Sequence, residues 1–279
     1  MEGKTEQTLR RNKMDKILVV IFGNEEGAYQ GVRELETLND DGSISLYASG
    51  IVKRQPNGSI TVLQEAPDGP LGTVVGLATG AMVGLIGGPV GVAVGGFVGA
   101  GGGMFYDLAK LGLGEDFLYD VGQNLLPGHT AVIAEVYEEW IMPVDVRMEA
   151  AGGVVFRRAR VEVEDTQFER DVAAFNAEID ELDAEMKASA DDAKAKLQAK
   201  RDAAKAKLQA TKDRAKTSIE NAKQEMDAKV LSLQAQISKS NAETKAKVEK
   251  RIAEMKENHK KRSEKLRHAW DLVKEAASI

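Results

Sequence analysis

One uncharged, glycine-rich segment constrains the fold of this chain more than any other feature. Between Asp68 and Asp107, 38 consecutive residues carry no charge, and 14 of them are glycine. A spacing of four keeps residues on one face of an α-helix, and proline breaks a helix. The pattern therefore predicts a helical hairpin, roughly residues 71–86 and 89–104, that turns near Gly87-Gly88-Pro89. The glycines that form its two faces are Gly72, Gly76, Gly80, Gly84, Gly88, Gly91, Gly95, Gly99 and Gly103.

Such a hairpin needs close packing, because each glycine costs about 0.5–1 kcal/mol relative to alanine in a helix. Two environments could supply that packing. In the first, the hairpin enters a bilayer from one side, although each arm, at about 24 Å, is shorter than the ~30 Å hydrocarbon core. In the second, it packs against copies of itself in an oligomer, or against its own sheet. A phosphate-binding loop is excluded, because neither G-x-x-x-x-G-K-[ST] nor G-x-G-x-x-G occurs.

Short runs on both sides of the hairpin predict a mixed α and β domain. The first expected elements are a buried strand at KILVVIF (16–22), a helix capped by Asn24, and a half-buried strand in which Ile44, Leu46 and Ala48 alternate. The apolar residues of the first helix recur at helical spacing, at Ala28, Val32, Leu35 and Leu38. A hairpin turn at 55–58, a returning strand around Ile60 and Val62, a helix at 114–126 and a strand at 130–136 follow. This order is that of a ferredoxin-like antiparallel sheet, with the glycine hairpin (about residues 70–104) inserted after the third strand. A short helix around 138–150 and a strand around 154–163 add to it.

The C-terminal part predicts long helices. From about residue 165 onward there is no glycine or proline. A heptad seam of apolar residues comes first, at Phe168, Val172, Phe175, Ile179, Leu182 and Met186. An eleven-residue period follows, in which AKAKLQAKRDA (193–203) is repeated as AKAKLQATKDR (204–214). Its first and fifth places are apolar, as at Ala193 and Leu197 and at Ala204 and Leu208. Eleven residues span three turns, so the apolar stripe runs nearly straight. Since propensity alone does not stabilise so long a helix, the stripe must be buried in a coiled coil, against the chain itself, or on a surface.

These patterns divide the chain into three parts. We expect a flexible arm at 1–15, a ferredoxin-like domain at 16–163 that carries the glycine hairpin, and a helical, coiled-coil tail at 165–279. The fold class is thus α+β with a long α-helical tail.

The charge is unevenly distributed. The net charge of the whole chain is −6, but residues 171–279 carry 24 basic and 20 acidic side chains. A basic cluster with a tryptophan lies near the end: Lys260, Lys261, Arg262, Lys265, Arg267 and Trp270. A basic helix with Trp on its apolar face suits an anionic lipid surface, and the alternative is a coiled-coil end that Trp270 caps. Nucleic acid is not expected as a partner, because the protein is acidic and no recognition module is visible.

Several of these pieces together resemble a bacterial and archaeal family of unknown function. They are KILVVIF, the Asn-Gly hairpin, the glycine series, LLPGHTAVIAEV and GGVVF, and they cover about residues 15–160. Members of that family are commonly described as predicted membrane proteins, and some are linked to general stress. The resemblance implies no catalytic residues. The long helical tail departs from the usual family length, so any partner of the tail lies outside it.

The residues that carry chemistry are few. The chain has no cysteine and three widely separated histidines, so we expect no metal and no cofactor. His129 follows Pro127-Gly128 and fits a turn histidine better than a lone catalytic base.

We expect a non-enzymatic, self-associating scaffold or membrane-associated protein, with a link to stress and no small-molecule substrate. The alternatives are a ligand- or stress-sensing module whose coiled coil relays the signal, and a desiccation-type protectant acting through the tail. Because the N-terminus has no apolar run, we expect a cytoplasmic location, and the bilayer interpretation adds contact with the cytoplasmic membrane through residues 70–104.

Overall fold

The computed structural model describes residues 14–86, 115–159, 164–188 and 191–276. The chain divides into two compact units, Met1–Glu162 with Asp227–Ala253, and Val163–Met226 with Glu254–Ile279. Two long C-terminal helices therefore contribute residues to both units.

The first unit is an α+β domain built on a five-stranded antiparallel sheet, as the sequence predicts. Its elements are β1 (Met14–Phe22), α1 (Glu25–Asp40), β2 (Ile44–Arg54), β3 (Ile60–Gln64), α2 (Gly72–Ile86), α3 (Glu115–Asn124), β4 (Thr130–Glu138), α4 (Met142–Ala150) and β5 (Val154–Ala159). The strand order is β3-β2-β4-β1-β5, and every neighbouring pair is antiparallel. Three further helices follow, α5 (Glu164–Ala188), α6 (Asp191–Ser238) and α7 (Ala242–Ala276).

The ferredoxin-like order is present, but its strands have other roles than the sequence suggested. The sheet contains two split β-α-β units, β1-α1-β2 and β4-α4-β5. β4 lies between β1 and β2, and β1 lies between β4 and β5. β5 is thus the fourth strand of the core, and α4 is its second helix. β3, taken from the sequence as a core strand, is an added edge strand. The insertion after β3 therefore separates the two β-α-β units.

Helices cover both faces of the sheet. On one face, α1 and α4 pack on Leu18, Val20 and Val132. On the other face, α2 and α3 pack on Ile17, Val19 and Ile133. The predicted cap is confirmed, because the Asn24 side chain accepts a hydrogen bond from Gly27 N at 2.9 Å. The sheet is thus packed between two helical layers.

A β-bulge corrects the alternation predicted for β2. The pairing with β4 shifts by one residue between Leu46 and Ala48. Ile44 and Leu46 pack in the α1/α4 core, whereas Ala48 packs in the α2/α3 core. The extra residue, Tyr47, is left without a partner in the ladder, as in other bulges. The alternation of side chains between the two faces is broken at the bulge, so Ala48 lies on the opposite face from that predicted. β2 is therefore buried on both faces, and the prediction of a half-buried strand is wrong.

The first arm of the predicted glycine hairpin is helix α2. It packs on its own sheet through Val74, Val75, Ala78, Ala81 and Met82. The second predicted arm, 89–104, lies outside the described residues. Among the residues that were described, none of the helices combines the length and the apolar character that crossing a membrane requires.

In the second unit, the predicted apolar seam of α5 is buried against α6. Val172 and Leu208 pack together, and Phe175 and Ile179 lie against them. The eleven-residue period also predicts burial correctly in α6, where Leu197, Ala204 and Leu208 are buried. Asp183 and Arg201 form an ion pair at 2.6 Å between the two helices. This part of the stripe is therefore satisfied within one chain.

Candidate functional site

The predicted glycine face of α2 is exposed at Gly76, half-buried at Gly80 and Gly84, and buried at Gly72. At about 100° per residue, Gly76 and Gly80 lie nearly opposite the residues that pack on the strands, whereas Val83, on the same side as Gly76, is buried in the core. Gly76 is exposed, and no described atom lies within 4 Å of the position that a Cβ would take there. Gly72 differs, because a Cβ at that position would lie 1.6 Å from the carbonyl oxygen of Pro67. The five predicted glycines from Gly88 to Gly103 lie outside the described residues.

A second candidate lies on the same face of the sheet, beyond the part covered by α2 and α3. Here the strands carry polar and aromatic side chains, which we call the receptor surface: Asp15, Ser45, Tyr47, Glu135 and Tyr137. Residues 227–253, at the end of α6 and the start of α7, cover them, and we call these residues the docking segment. Both belong to the first unit. The tail thus folds back on the domain here, which is one of the three options that the sequence left open.

Lys229 is the centre of the contact. Its Nζ lies 2.7 Å from Glu135 Oε1 and 2.5 Å from Asp15 Oδ2, and 4.6 Å from the centre of the Tyr47 ring. Lys229 is 3% exposed and Glu135 is 0% exposed. A buried charge is tolerated only when it is paired and hydrogen-bonded. Lys229 and Glu135 therefore depend on each other for their burial.

Arg251 anchors the other end of the docking segment. Its Nη1 donates to Ser45 Oγ at 2.9 Å, and its Nη2 donates to the Gly42 carbonyl at 2.8 Å. The guanidinium also stacks over the Tyr137 ring, with Cζ 5.0 Å from the ring centre. Ser45 Oγ in turn donates to Gln236 Oε1 at 3.0 Å. Two helices of the docking segment are thus joined through one serine of the sheet.

The docking segment also completes the C-terminus of α1. The last carbonyls of a helix have no partner within it, and the last turn of α1 has no basic residue. Gln236 Nε2 donates to Asn39 O, Thr244 Oγ1 donates to Asp41 O at 3.0 Å, and Arg251 adds a positive charge nearby. A cation near a helix C-terminus is favourable because of the helix dipole.

Burial raises the pKa of the Tyr47 hydroxyl well above its ordinary value, and the Asp15 and Glu135 carboxylates add to this effect. The hydroxyl is buried and has no hydrogen-bond partner among the described residues. Tyr47 therefore stays neutral at neutral pH, and the centre of its ring lies 4.6 Å from Lys229 Nζ.

A separate ionic cluster lies on the α1/α4 face. Glu138 Oε1 accepts from Lys16 Nζ at 3.0 Å and from Arg157 Nε at 2.8 Å, and Arg157 Nη2 also pairs with Asp145 of α4. These contacts join β1, β4, β5 and α4. Their partners are all within the domain core, so this cluster stabilises the fold rather than forming an open site.

The receptor surface, as defined above, includes none of the other predicted candidates. Lys260 and Lys261 are exposed on α7, and Lys261 pairs with Glu257 at 3.2 Å. The side chains of Arg262, Lys265, Arg267 and Trp270 lie outside the described residues. His129 lies in the turn before β4, where its backbone N donates to Leu126 O. Within the described ranges, no group of acidic or histidine side chains could hold a metal ion.

Comparison with known proteins finds a family match over part of the chain and no activity. Residues 73–172 match the family described as "Protein of unknown function (DUF1269)". The resemblance to an uncharacterised family is thus confirmed for this stretch. It includes α2, β4 and Glu135, whereas the docking segment lies outside it. No curated protein and no solved structure matches the chain.

Sequence reasoning missed the receptor surface and the docking segment. One signal was present, because Glu135 follows Ala131 and Ile133 at a spacing of two and therefore shares their buried face. A carboxylate at such a position needs a buried cation. No comparable signal identified Lys229, since Lys196 and Lys207 occupy the same place in the eleven-residue repeat and are exposed.

Proposed function

We propose that this protein is a non-enzymatic scaffold that self-associates through the glycine face of α2. The observation that carries the proposal is the orientation of that helix. Its apolar side chains already pack on the sheet, and Gly76 on its opposite side is exposed. α2 has no charged residue, and a helix without a polar face is normally buried all round. A face of small residues lets another helix approach closely.

The packing of the tail is compatible with this role. α5 and α6 bury their apolar seam against each other, and the docking segment is fixed to the sheet by two basic side chains. The ligand-sensing alternative gains no support, because described helices occupy both faces of the sheet. A protectant with an unfolded tail gains none either, because the described tail is helical and packed.

Substitutions at Gly76 test the proposal. In an isolated chain, Gly76→Ala meets open space and should stabilise α2 by about 0.5–1 kcal/mol, because alanine is the better helix former. In an oligomer that packs on this face, the same methyl group keeps the helices apart. We therefore expect Gly76→Ala to raise the melting temperature yet weaken association, and Gly76→Leu to abolish association.

The readout is the sedimentation coefficient of the full chain, measured with and without detergent. Glu36→Leu, which places the same apolar side chain at an exposed position of α1, is the control and should leave association unchanged. Association that persists in Gly76→Leu would contradict the role of the glycine face. Particles that disperse only in detergent would instead favour a bilayer as the partner of α2.

A further inference from the structure

We propose that the outer face of α5 in one copy packs on the outer face of α6 in a second copy, through opposite charges. The inference rests on the proposed self-association. Exposed ion pairs are individually weak, so this contact strengthens the association of copies that are already joined at α2. It involves the second unit alone and can fail separately.

The two helices carry opposite charge. α5 has nine acidic and two basic side chains, whereas residues 193–216 of α6 have nine basic and two acidic ones. Exposed side chains of both helices form no ion pair with any described residue. On α5 they form what we call the acidic face, at Glu178, Asp180 and Glu181. On α6 they form what we call the basic face, at Lys196, Lys200, Lys205 and Lys207.

The lysines of the basic face differ from those of α7. On α7, Lys245, Lys247 and Lys261 each pair with a glutamate four residues away on the same helix. Such pairs compensate the charge of a solvated helix locally. The positive charge of the basic face has no such local partner among the described residues, so it is available to an acidic partner from outside the chain.

The acidic and the basic face of one chain do not meet each other. α5 and α6 pack through Ile179 and Leu208, among others. At about 100° per residue, Ala177 lies nearly opposite Ile179 on α5, and Ala199 lies opposite Leu208 on α6. Both alanines are exposed. The outer sides of the two helices therefore point away from each other, and a second molecule is needed to pair them.

The two outer sides also match in shape. α5 exposes alanines at intervals of four, seven and four residues, at Ala173, Ala177, Ala184 and Ala188. α6 repeats the same intervals at Ala195, Ala199, Ala206 and Ala210, which are exposed as well. Small side chains at a contact allow a short distance between helix axes, and the flanking charges select the partner.

This match favours a second copy over another anionic partner. A nucleic acid or a lipid surface would use the lysines alone and would leave the carboxylates of α5 without a partner. A second copy supplies both charges and both alanine rows.

Charge reversal on each face tests the contact. The first variant combines Lys196→Glu, Lys200→Glu and Lys207→Glu, and the second combines Glu178→Lys, Asp180→Lys and Glu181→Lys. Each variant then has two faces of like charge. We expect the dissociation constant of the full chain, from sedimentation velocity over a concentration series, to rise about tenfold in each.

The decisive sample is an equimolar mixture of the two variants. There, the acidic face of the first variant meets the unchanged lysines of α6 in the second, and the reversed faces also complement each other. The mixture should therefore associate like the wild type. In about 1 M salt, where exposed charges are screened, the variants and the wild type should differ little. Circular dichroism verifies that both variants keep their helices.

A control variant separates the faces from net charge. Arg33→Glu, Lys239→Glu and Lys256→Glu together change the net charge as much as the first variant does, at exposed positions outside the two faces. They should leave the dissociation constant unchanged, and an equal loss in this control would overturn the contact.

The remaining outcomes are equally distinct. Variants that associate like the wild type would overturn the contact and leave the one at α2 intact. A weakened first variant that the second does not restore would show that the lysines serve a different anionic partner, and would overturn the role of a second copy. A wild type that is monomeric would overturn the self-association itself.

Discussion

Replacing Lys229 with methionine tests whether the buried ion pair holds the tail on the sheet. Methionine keeps most of the volume of the side chain but removes the ammonium group 2.7 Å from Glu135 Oε1. Removing one partner of a buried pair typically costs about 3–5 kcal/mol, because the other charge stays buried without compensation. Asp15, the second acidic neighbour, is partly exposed and can be solvated by water.

Protonation limits the part of this cost that comes from the uncompensated carboxylate. An ordinary glutamic acid loses its proton near pH 4.3, and keeping it protonated costs about 1.4 kcal/mol for each pH unit above that, or about 4 kcal/mol at pH 7. The cost at pH 5 is about 1 kcal/mol by the same relation. We therefore expect Lys229→Met to destabilise the first unit by about 3–4 kcal/mol at pH 7 and by about 1 kcal/mol at pH 5.

Hydrogen exchange of the β1 and β4 amides, followed by mass spectrometry, reports the opening free energy of this unit alone. Lys207→Met is the matched control, because Lys207 has the same place in the eleven-residue repeat and is exposed. It should change stability by less than about 0.5 kcal/mol. Adding Glu135→Gln to Lys229→Met should recover part of the loss. A cost for Lys229→Met below about 1 kcal/mol at pH 7, or one that does not fall with pH, would refute the reasoning.

Three further predictions concern single side chains of the first unit. The raised pKa of Tyr47 implies stability that is complete below the ordinary tyrosine value of about 10 and is lost as the pH rises above it. Tyr47→Phe should therefore change the free energy of unfolding little at pH 7. In urea unfolding at alkaline pH, the variant should lose less stability than the wild type, and equal losses in the two proteins would contradict this. Arg251→Lys should lower the free energy of unfolding in urea by about 1–2 kcal/mol, because lysine cannot donate to the Ser45 hydroxyl and the Gly42 carbonyl in a fixed fork. An unchanged urea midpoint would show that Arg251 does not anchor the docking segment. Gly31→Ala should lower the melting temperature, at a cost of about 1–3 kcal/mol, because its Cβ would lie 2.4 Å from Phe22 Cζ, and an unchanged melting temperature would show that the Phe22 ring moves freely.

Local signals predicted the elements of the fold well. The cap at Asn24, the apolar run of β1 and the buried positions of α1 each depend on neighbouring residues, so the sequence contains them directly. The heptad seam and the eleven-residue stripe are also local periodicities, and the burial of Val172, Leu197 and Leu208 follows from them. The fold decides only which helix packs on this stripe.

Long-range arrangement was less predictable. The choice of β5 rather than β3 as a core strand depends on pairing between distant segments, which no local pattern encodes. The bulge at Tyr47 depends on its pairing with β4. Lys229 and Lys207 look alike in the sequence, and they differ only because a carboxylate 94 residues away lies opposite Lys229. The candidate site could therefore be suspected from Glu135 but not completed.

The mass of the intact wild-type chain in solution tests the central claim most directly. Sedimentation velocity over a wide range of concentrations, in buffer without detergent, gives the mass of each species. The proposed scaffold predicts species that are multiples of the 30.1 kDa chain and that dissociate in Gly76→Leu. A single species at the mass of one chain, at every concentration, would contradict the account.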